Sequence, residues 1–581
     1  MLIANTIPEL LTQRAQNTGT QTAYWLIDQQ DGWTATDWQS FRQKVLLLAS
    51  GLQAIGLKKG QVIGIMANSC LNWEITHHAI LHAGGIVVGL DPNERSEQLS
   101  TILKTANITG LFIDQSEQLA RIVQYENYAL NFTINFTEQV STNKFLSVPQ
   151  IIAQQREQPS HPNLPEIHKD DTACIIFTSG TTGTPKGIAY THKQVLFACQ
   201  QILAVYPEIN ESCHLACWLP LANLFQRILN LCAVYGGAQT FLVDNPKKII
   251  EYLPQINPHI FIAVPRFYEK LYNELESQLN KQPLLLKKFI FFSLTQGEKN
   301  NAIGLIFRKI NTLLLKKFLS LFGHNIRYLV SGSAPMPVWL LKRYYAMNLL
   351  ILEAYGLSEN ILPVAMNIPK DYQFGSVGKA MPGNTIMLAE DNELLVQGLC
   401  CFSGYLGQEK ILNNLDNFYA SGDYAKIDSR GFIYLTGRKS EIFKTSTGRK
   451  IAPAAIEAIV KQTQGVDQAI IIGANKKFII AIITVEEHAD VLKMVNRLTS
   501  NLSSLPPYKF PAGLIISSQS FSLDHNEITA NLKLKRKNIQ QNYSQYIEQL
   551  YSQLADSNSA LHKNHVVINS DISFYTLKKI S

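Results

Sequence analysis

Short apolar runs alternate with longer amphipathic stretches along the first part of the chain. Buried strands are predicted at 23–27, 62–66, 84–90 and 110–114. Helices are predicted at 8–18, 37–55, 72–83 and 97–107, and Asp37 is placed to cap the second of them. Because strands that alternate with helices of this length form parallel βαβ units, we expect an α/β protein.

The composition is that of a globular protein with more than one domain. The chain has 581 residues, of which 46% are hydrophobic and 17% are charged, so it can bury a large core. The net charge of +7 is small for this length, which argues against a nucleic-acid partner but permits anionic ligands or an anionic membrane surface. Eight cysteines without a disulfide spacing, no signal peptide and no 18-residue apolar run predict a cytoplasmic protein without a transmembrane helix.

Residues 175–190 change from an apolar strand to small hydroxylated and glycine residues. Backbone N–H groups and hydroxyls in such a loop suit a polyphosphate, and Lys186 adds a fixed positive charge. The candidate donors are Thr178, Ser179, Gly180, Thr181, Thr182 and Gly183. A Walker A loop is excluded, because Pro185 precedes the lysine and Gly187 follows it. The alternative interpretation is a glycine-rich hairpin turn.

The order Thr-Ser-Gly-Thr-Thr-Gly-Thr-Pro-Lys-Gly at 178–187 resembles the signature of the adenylate-forming (AMP-binding) enzymes, which include acyl-CoA synthetases, luciferases and non-ribosomal adenylation domains. Further segments that resemble family motifs follow in family order at 218–227, 327–335, 351–359, 419–424 and 431–438. The segment 264–270, Val-Pro-Arg-Phe-Tyr-Glu-Lys, is similar to the long-chain fatty acid–CoA ligase branch.

The resemblance covers roughly residues 8–551 and implies a division of the chain. A large N-terminal adenylation core of parallel βαβ layers with a β-rich subdomain is expected at 1–437. A hinge at 438–442, with Ser440 at the usual hinge position, leads to a small mobile α+β lid at 443–551. Residues 552–581 are an extra tail, for which a short strand pair or no structure are the two alternatives.

The resemblance also implies roles for single residues. The expected catalytic residues are Lys186, Glu359 and Lys533, with Glu359 and Thr178 as ligands of Mg²⁺. The expected nucleotide contacts beyond the phosphate loop are Ser333, Ala334, Tyr355, Gly356, Ser358, Asp423 and Arg438; among them Tyr355 would stack on adenine and Asp423 would bind the ribose. Asn223 and Gly332 are expected near the acyl group and the phosphates, and Thr447 and Gly448 in the loop that faces CoA.

Several positions depart from the family pattern. Asn223 replaces a histidine and can donate a hydrogen bond but cannot carry a positive charge. Gln226 replaces the usual glutamate, Ser440 the usual aspartate or lysine, and Thr447 a glycine. The alternative interpretation of Lys533 is a solvated basic run with residues 535–537, although the preceding Ile528-Thr529 pair favours catalysis.

Residues 284–323 are rich in leucine and phenylalanine and contain several lysines. A basic amphipathic helix can lie on a membrane surface, and this segment is a candidate for such a peripheral contact at the inner membrane. The alternative is helices docked on the core with lysines at their solvated edge.

The function implied by the resemblance is ATP-dependent activation of a long-chain fatty acid to acyl-AMP, followed by thioester formation with CoA. ATP, fatty acid and CoA are therefore the expected substrates, and Mg²⁺ the expected cofactor. Two alternatives are transfer of the acyl group to an acyl carrier protein or another acceptor, for which Ser440 and Thr447 argue, and a non-catalytic relative, for which Asn223 and Gln226 argue.

Overall fold

The computed structural model describes residues 2–28, 32–94, 96–115, 118, 130–137, 146–157, 164–178, 185–408, 418–486, 489–522, 524–528, 534–555 and 565–577. The phosphate-loop candidates Ser179, Gly180, Thr181, Thr182 and Gly183 and the catalytic candidate Lys533 lie outside the described residues. Among the described helices, none combines the length and the apolar character that crossing a membrane requires.

The N-terminal part of the chain builds a seven-stranded sheet. Its helices are α1 (Ile7–Thr18), α2 (Trp38–Ala54), α3 (Leu71–His82), α4 (Ser96–Ala106), α5 (Val148–Glu157) and α6 (His192–Val205). The strands are β1 (Thr22–Ile27), β2 (Trp33–Asp37), β3 (Val62–Met66), β4 (Ile86–Leu90), β5 (Ile108–Ile113), β6 (Phe132–Asn135), β7 (Leu146–Ser147), β8 (Thr172–Thr178) and β9 (Lys186–Thr191). Seven of these strands form the sheet, in the order β7-β6-β5-β3-β4-β8-β9, and β1 and β2 belong to a second sheet.

The predicted βαβ units are confirmed in this sheet. The neighbours from β7 to β8 pair in parallel, and only β9 runs antiparallel to its neighbour β8. All eight elements predicted from the apolar pattern are present, with ends within two residues of the predicted ones. Asp37 caps α2 as predicted, because its Oδ1 accepts a hydrogen bond of 2.7 Å from the backbone N–H of Ser40.

The middle of the chain builds a nine-stranded sheet together with β1 and β2. Its helices are α7 (Leu224–Gly236), α8 (Ile249–Ile256), α9 (Pro265–Asn280), α10 (Leu284–Gly297), α11 (Ala302–Leu314), α12 (Lys316–Leu319) and α13 (Val338–Ala346). Its further strands are β10 (His214–Cys217), β11 (Gln239–Leu242), β12 (Ile260–Ala263), β13 (Tyr328–Ser331), β14 (Ile351–Leu357), β15 (Asn360–Met366) and β16 (Lys379–Ala380). The order is β16-β15-β14-β13-β12-β10-β11-β1-β2, and the run from β14 to β1 is parallel.

A four-stranded antiparallel sheet follows, in the order β17 (Asn384–Leu388), β18 (Glu393–Gly398), β19 (Tyr419–Ile427) and β20 (Ile433–Arg438). This sheet is the β-rich subdomain that the sequence predicts. Its last strand ends at Arg438, where the predicted hinge begins.

The part of the chain predicted as the lid, together with the tail, has its own sheet and its own apolar clusters, and we keep the name lid for residues 443–555. Its elements are β21 (Phe443–Lys444), β22 (Lys450–Ile451), α14 (Pro453–Lys461), β23 (Val466–Ile472), β24 (Ile480–Val485), α15 (Val491–Leu502), β25 (Gly513–Ser517), α16 (Arg536–Asn542) and α17 (Ser544–Ala555). The tail adds β26 (His565–Val567) and β27 (Ile572–Thr576), which complete a five-stranded sheet in the order β23-β24-β25-β27-β26.

The tail is therefore part of the lid sheet. Of the two alternatives that the sequence leaves for it, a short strand pair or no structure, the strand pair is the one that forms. β26 and β27 pair with each other, and β27 also pairs antiparallel with β25. Phe574 is fully buried and Tyr575 nearly so. Burial of these two aromatic rings explains why β27 is held between β25 and the edge strand β26, because each ring removes a large apolar area from water.

Candidate active site

The candidate phosphate loop connects the two strands of a hairpin. Thr178 ends β8, Lys186 begins β9, and the two residues are cross-strand partners. The strand pair that flanks the alternative glycine-rich turn is present, while the turn itself lies outside the described residues, and this pairing does not exclude a ligand. Both flanks of the loop meet at the carboxyl end of β8, and this end of a parallel strand is where α/β sheets bind ligands.

Lys186, Tyr405 and Glu359 come together at the base of this hairpin. The Nζ of Lys186 lies 4.7 Å from the centre of the Tyr405 ring. The hydroxyl of Tyr405 donates a hydrogen bond of 2.7 Å to Oε1 of Glu359. The structure therefore brings together two of the three predicted catalytic residues through a tyrosine that lies between them.

Gly187 lets the segment with Tyr405 approach β9. The carbonyl oxygen of Gly187 accepts a hydrogen bond of 2.9 Å from the N–H of Leu406, and a Cβ at Gly187 would stand 2.6 Å from Leu406 Cδ1. A Cβ at this position would require the side chain of Leu406 to shift, so glycine allows the close approach of this segment to β9.

Glu359 lies in the turn between β14 and β15, and its negative charge helps to raise the pKa of three nearby tyrosines. Burial is the larger cause and Glu359 the second cause that raise the pKa of Tyr405 to about 12. The same two causes raise the pKa of Tyr419 more strongly. Burial and Glu359 also raise the pKa of Tyr190, whose hydroxyl donates to the carbonyl of Ser358 at 2.6 Å. The three phenols therefore stay protonated at neutral pH and act as hydrogen-bond donors around the carboxylate.

The candidate adenine and ribose residues form a second group. The hydroxyl of Tyr355, in β14, donates to Oδ2 of Asp423 at 2.5 Å, and Nε of Arg438 lies 3.2 Å from Oδ1 of the same carboxylate. Asp423 and Arg438 are cross-strand partners in β19 and β20, which fixes their distance. Asp423 is buried whereas the Arg438 side chain is half exposed, so the pair opens toward solvent on one side.

The loop after β13 holds Gly332 and Ser333. Ser333 adopts a φ of +73°, in the left-handed region that favours glycine, and it stands where the family pattern has glycine. The ring of Phe225 lies beside Gly332, because a Cβ built there would be 3.6 Å from its Cζ. The loop is held from below by the buried Glu353, whose Oε1 accepts a hydrogen bond of 3.2 Å from the N–H of Met336.

Burial raises the pKa of Glu353 to about 7. Glu353 interrupts the apolar run of β14, and that interruption is the sequence signal that could have singled it out. Its contact with the 332–337 loop makes it a support for residues that the resemblance places at the nucleotide and the acyl group.

Asn223 is the N-terminal cap of α7. Its side-chain oxygen accepts a hydrogen bond of 3.2 Å from the N–H of Phe225. Asparagine is among the best residues for this position, so the replacement of histidine has a structural effect as well as a chemical one. The carboxyl ends of the parallel strands β10, β13 and β14 place Asn223, Gly332 and Glu359 at one edge of the sheet.

Gln226 belongs to a buried polar network under α7. Its Oε1 accepts from the N–H of Leu219 at 3.3 Å, and its Nε2 donates to Asn230 Oδ1 at 2.8 Å. Asn230 in turn donates to Glu74 at 2.7 Å. Burial raises the pKa of Glu74 to about 7, and the hydrogen bonds from Asn230 and Tyr24 oppose this rise. The glutamine thus has partners that fit an amide.

The hinge candidate Ser440 lies between a residue held by the core and a residue held by the lid. Lys439 Nζ lies 2.6 Å from Glu393 Oε2 and 3.0 Å from Asp391 Oδ2, and these hydrogen bonds raise its pKa. Glu441 Oε2 lies 3.5 Å from Nε of Arg536 in the lid. Ser440 is exposed between these two anchors, and its role as a hinge stays a prediction.

The segment that carries Lys533 has both of its ends held together. Ile528 and Leu534 form an antiparallel bridge, and the N–H of Lys535 donates to the carbonyl of Glu527 at 2.7 Å. Arg536 then forms a two-armed ion pair with the buried Glu457, with one hydrogen bond of 2.6 Å. Lys535 also donates to Oδ1 of Asn526 at 2.7 Å. The alternative interpretation, a basic run surrounded by solvent, is therefore wrong for Lys535 and Arg536, because both side chains have partners within the protein.

The CoA-loop candidates Thr447 and Gly448 lie at the exposed tip of the β21–β22 hairpin. Gly448 has a φ of +77°, and its N–H donates to the carbonyl of Thr445 at 3.0 Å. The N–H of Ser446 donates to the carbonyl of Lys476, so the described backbone contacts of this tip are within the lid. The structure does not bring this loop into contact with Lys186 or Glu359.

The core and the lid are joined by an ion pair from the long-chain segment 264–270. Arg266, in α9, pairs with the carboxylate of Asp467, in β23, and also donates to its backbone carbonyl at 3.4 Å. Asn273 of α9 donates to Glu486 of the lid. The same segment therefore contributes to domain docking, which its sequence did not indicate.

Family models match most of this chain. The model described as AMP-binding enzyme matches residues 11–406, and the model described as AMP-binding enzyme C-terminal domain matches residues 441–555. Among curated proteins, the long-chain-fatty-acid–CoA ligase FadD15 of Mycobacterium bovis is 27% identical over 564 residues, with 90% of this chain and 93% of the relative covered. The human long-chain-fatty-acid–CoA ligase 1 is 26% identical, with 89% and 82% covered.

Solved structures share the fold. The anthranilate CoA ligase AuaEII in complex with anthranoyl-AMP has a TM-score of 0.75 at 19% identity, with 94% of this chain and 99% of that chain covered. The A-PCP didomain of the carboxylic acid reductase from Segniliparus rugosus has a TM-score of 0.77 at 17% identity, with 96% and 83% covered. Since the first family model alone spans more than half of the residues, this chain belongs to the AMP-binding enzyme family.

Proposed function

We propose that this chain is an AMP-forming long-chain fatty acid–CoA ligase. The observation that carries the proposal is the convergence of Lys186, Tyr405 and Glu359 at a hairpin with the family's phosphate-binding signature. The long-chain acyl substrate is supported by relatives that are named long-chain-fatty-acid–CoA ligases in both a bacterium and human.

The first half-reaction joins two anions. A carboxylate oxygen of the fatty acid attacks the α-phosphorus of ATP, the bond to the bridging oxygen breaks, and pyrophosphate leaves with the electron pair. Because the charges repel, catalysis depends on position and on fixed positive charge. We assign this charge to Lys186 at the hairpin and to Lys533, presented by the lid.

Glu359 and Thr178 fit an Mg²⁺ ion, because both offer hard oxygen atoms next to the phosphate loop. When bound, the ion would neutralise charge on the triphosphate. Tyr405 orients the Glu359 carboxylate through its hydrogen bond to Oε1. Asp423 and Arg438 would hold the ribose, and Tyr355 would lie against the adenine.

In the second half-reaction the thiolate of CoA attacks the acyl carbonyl carbon, and AMP leaves as the thioester forms. We propose that rotation at Ser440 replaces the Lys533 segment at the site by the loop with Thr447 and Gly448. The anchors on either side of Ser440, Lys439 to the core and Glu441 to the lid, support this position for the hinge.

A carrier protein is the alternative acyl acceptor. Thr447 stands at the exposed loop tip where the family pattern has glycine, and one structure with the same fold is an A-PCP didomain. The non-catalytic alternative has less support, because Asn223 and Gln226 both have partners that fit their amide groups. Lys186 and Glu359, the two described catalytic candidates, also both contact Tyr405.

The test is ATP–pyrophosphate exchange with a panel of fatty acids, followed by AMP release with CoA or with an acyl carrier protein. We expect exchange that depends on a long-chain fatty acid, and AMP release that depends on CoA. Exchange without CoA-dependent release would favour the carrier protein. A complete lack of exchange with every acid would contradict the enzymatic proposal.

A further inference from the structure

The helices α10 and α11 form a hairpin on the core, named here the outer hairpin (Leu284–Leu314). Ten of the nineteen large apolar side chains that are exposed among the described residues lie on it. Leu285 is 83% exposed and Leu313 is 77% exposed. A concentration of this kind marks an interaction surface, because single exposed apolar residues are scattered on ordinary surfaces.

α11 buries polar residues and exposes apolar ones, which is the reverse of an ordinary surface helix. Its buried residues are Gly304, Arg308 and Asn311, whereas Ile306 and Leu313 are exposed. An ordinary surface helix buries its apolar stripe and exposes its polar one. The reversed arrangement is stable only if the outward face has an apolar partner of its own.

Polar contacts hold the outer hairpin in this orientation. Asn311 is fully buried, accepts a hydrogen bond of 2.6 Å from Ser293 of α10 and donates one of 2.8 Å to the carbonyl of Ala346 in α13. Arg308 donates to the carbonyl of Gly297 at 3.0 Å. Because these buried groups would be left unpaired if α11 rotated, the apolar face is fixed outward.

The exposed apolar residues of the two helices form one continuous face. Leu285, Phe289 and Phe292 are spaced by four and three residues and so share one side of α10. The rings of Phe292 and Phe307 meet edge to face, with their centres 5.7 Å apart, which joins this side of α10 to α11.

The outer hairpin and α12, which follows it, are rich in positive charge. Residues 284–323 contain six lysines, one arginine and one glutamate, and the glutamate, Glu298, is paired with Arg343 at 3.1 Å. Lys288, Lys309, Lys316 and Lys317 are exposed. Lysines at the rim of an apolar face can extend to anionic headgroups while their neighbours enter the acyl region.

We propose that the outer hairpin docks on the surface of an anionic lipid bilayer. A second copy of this chain is a poorer occupant, because a symmetric contact would place the same lysines against each other. The hairpin also holds α13, which begins directly after the 332–337 loop. If the proposed function holds, the bilayer would supply the fatty acid next to the acyl-pocket candidates.

The test is co-sedimentation of the full chain with vesicles of phosphatidylcholine alone or mixed with phosphatidylglycerol. We expect binding to the mixed vesicles that weakens in high salt. The double variant Leu285→Asp with Leu313→Asp should lose at least about tenfold in partition, because it places charges in the apolar layer. Leu492→Asp is the matched control, since Leu492 is a 65% exposed leucine of the lid, and it should bind as the wild type does.

A second pair of variants tests the charge. Lys288→Glu with Lys316→Glu should lower partition into the mixed vesicles at least about tenfold, since each basic residue near an anionic surface contributes about fivefold. These positions are exposed, so the fold should survive even if the leucine variants misfold. Binding requires no turnover, so an inactive protein would still test this surface.

Two outcomes would overturn the proposal. One is equal partition of wild type, hairpin variants and Leu492→Asp. The other is no vesicle binding together with a wild-type dimer in sedimentation velocity that Leu285→Asp with Leu313→Asp abolishes, which would assign the face to a second copy of the chain.

Discussion

The hydroxyl of Tyr355 donates a 2.5 Å hydrogen bond to Oδ2 of Asp423, 68 residues further along the chain. Burial and the Asp423 charge keep the pKa of Tyr355 well above its usual value, so the phenol remains a donor. Arg438 holds the other carboxylate oxygen. The side chains proposed for adenine and for ribose are thus already coupled, and the carboxylate is oriented before the nucleotide arrives.

This coupling predicts different effects for two conservative variants. Asp423→Asn should raise KM for ATP by about 10- to 100-fold, because hydrogen bonds to a charged group contribute about 1.5–3 kcal/mol. Tyr355→Phe keeps the ring and should raise this KM less than about tenfold. Steady-state exchange kinetics at varied ATP check both values. Equal KM values for Asp423→Asn and the wild type would exclude the ribose role.

Glu359→Gln should reduce ATP–pyrophosphate exchange by about 10²- to 10³-fold, because it removes a preorganised charge while keeping the side-chain shape. The hydroxyl of Tyr405 can still donate to the amide oxygen, so the melting temperature should change little. Tyr405→Phe is the companion variant, and it should lose only about tenfold because its ring still lies under Lys186. Similar losses in both variants would place the effect in the tyrosine and not in the charge.

The local pattern was enough to predict the parallel units, whereas the residues of the candidate site were supplied by the resemblance to a family. β3 to β5 and the helices between them follow from apolar spacing, because neighbouring residues determine such elements. Lys186 and Glu359 were predicted from motifs, and the structure places both beside Tyr405. Their roles, and that of the Lys533 segment, stay predictions.

Contacts between distant segments were not predictable in this way. Nothing in the residues around Tyr405 shows that its hydroxyl reaches Glu359, which lies 46 positions earlier in the chain. The ion pairs Arg266–Asp467 and Arg536–Glu457 join residues about 200 and 79 positions apart. The tail strand β27 was ambiguous because its partner, β25, lies more than fifty residues upstream.

Because we propose that Lys533 acts only when pyrophosphate leaves, Lys533→Ala should abolish adenylation and leave thioester formation from supplied acyl-AMP largely intact. Rates of the two half-reactions, measured separately, check this. Arg536→Ala keeps the lysine but frees its segment from Glu457, so adenylation should fall about tenfold or more as positioning is lost. Equal loss of both half-reactions in Lys533→Ala would contradict a role limited to the first.

Glu353 predicts a pH dependence of stability. Its pKa is raised to about 7 by burial, so the folded protein keeps a proton that the unfolded chain has released. The stabilisation is complete below about pH 4.5 and is lost as the pH rises through about 7. A shift of this size corresponds to a change on the order of 3 kcal/mol.

Glu353→Gln stays neutral at every pH, so its melting temperature relative to wild type should rise between pH 5 and pH 8. Thermal unfolding at several pH values measures the difference. Glu251→Gln, at an exposed position of α8, is the matched control and should follow the wild type. A constant difference between Glu353→Gln and wild type across this range would show that the carboxyl does not titrate there.

Asn223 allows its structural and chemical roles to be separated. Asn223→Asp keeps a good cap for α7, so the melting temperature should be unchanged, but the added negative charge should lower exchange at least about tenfold if the side chain faces the phosphates. Asn223→Ala should cost about 1 kcal/mol of stability through loss of the cap. The matched control is Asn301→Asp, which changes the cap of α11, away from the nucleotide candidates, and should leave exchange unaffected. Normal exchange in Asn223→Asp would show that Asn223 acts only as the cap of α7. The asparagine would then not take over the contact near the phosphates that the family pattern assigns to histidine.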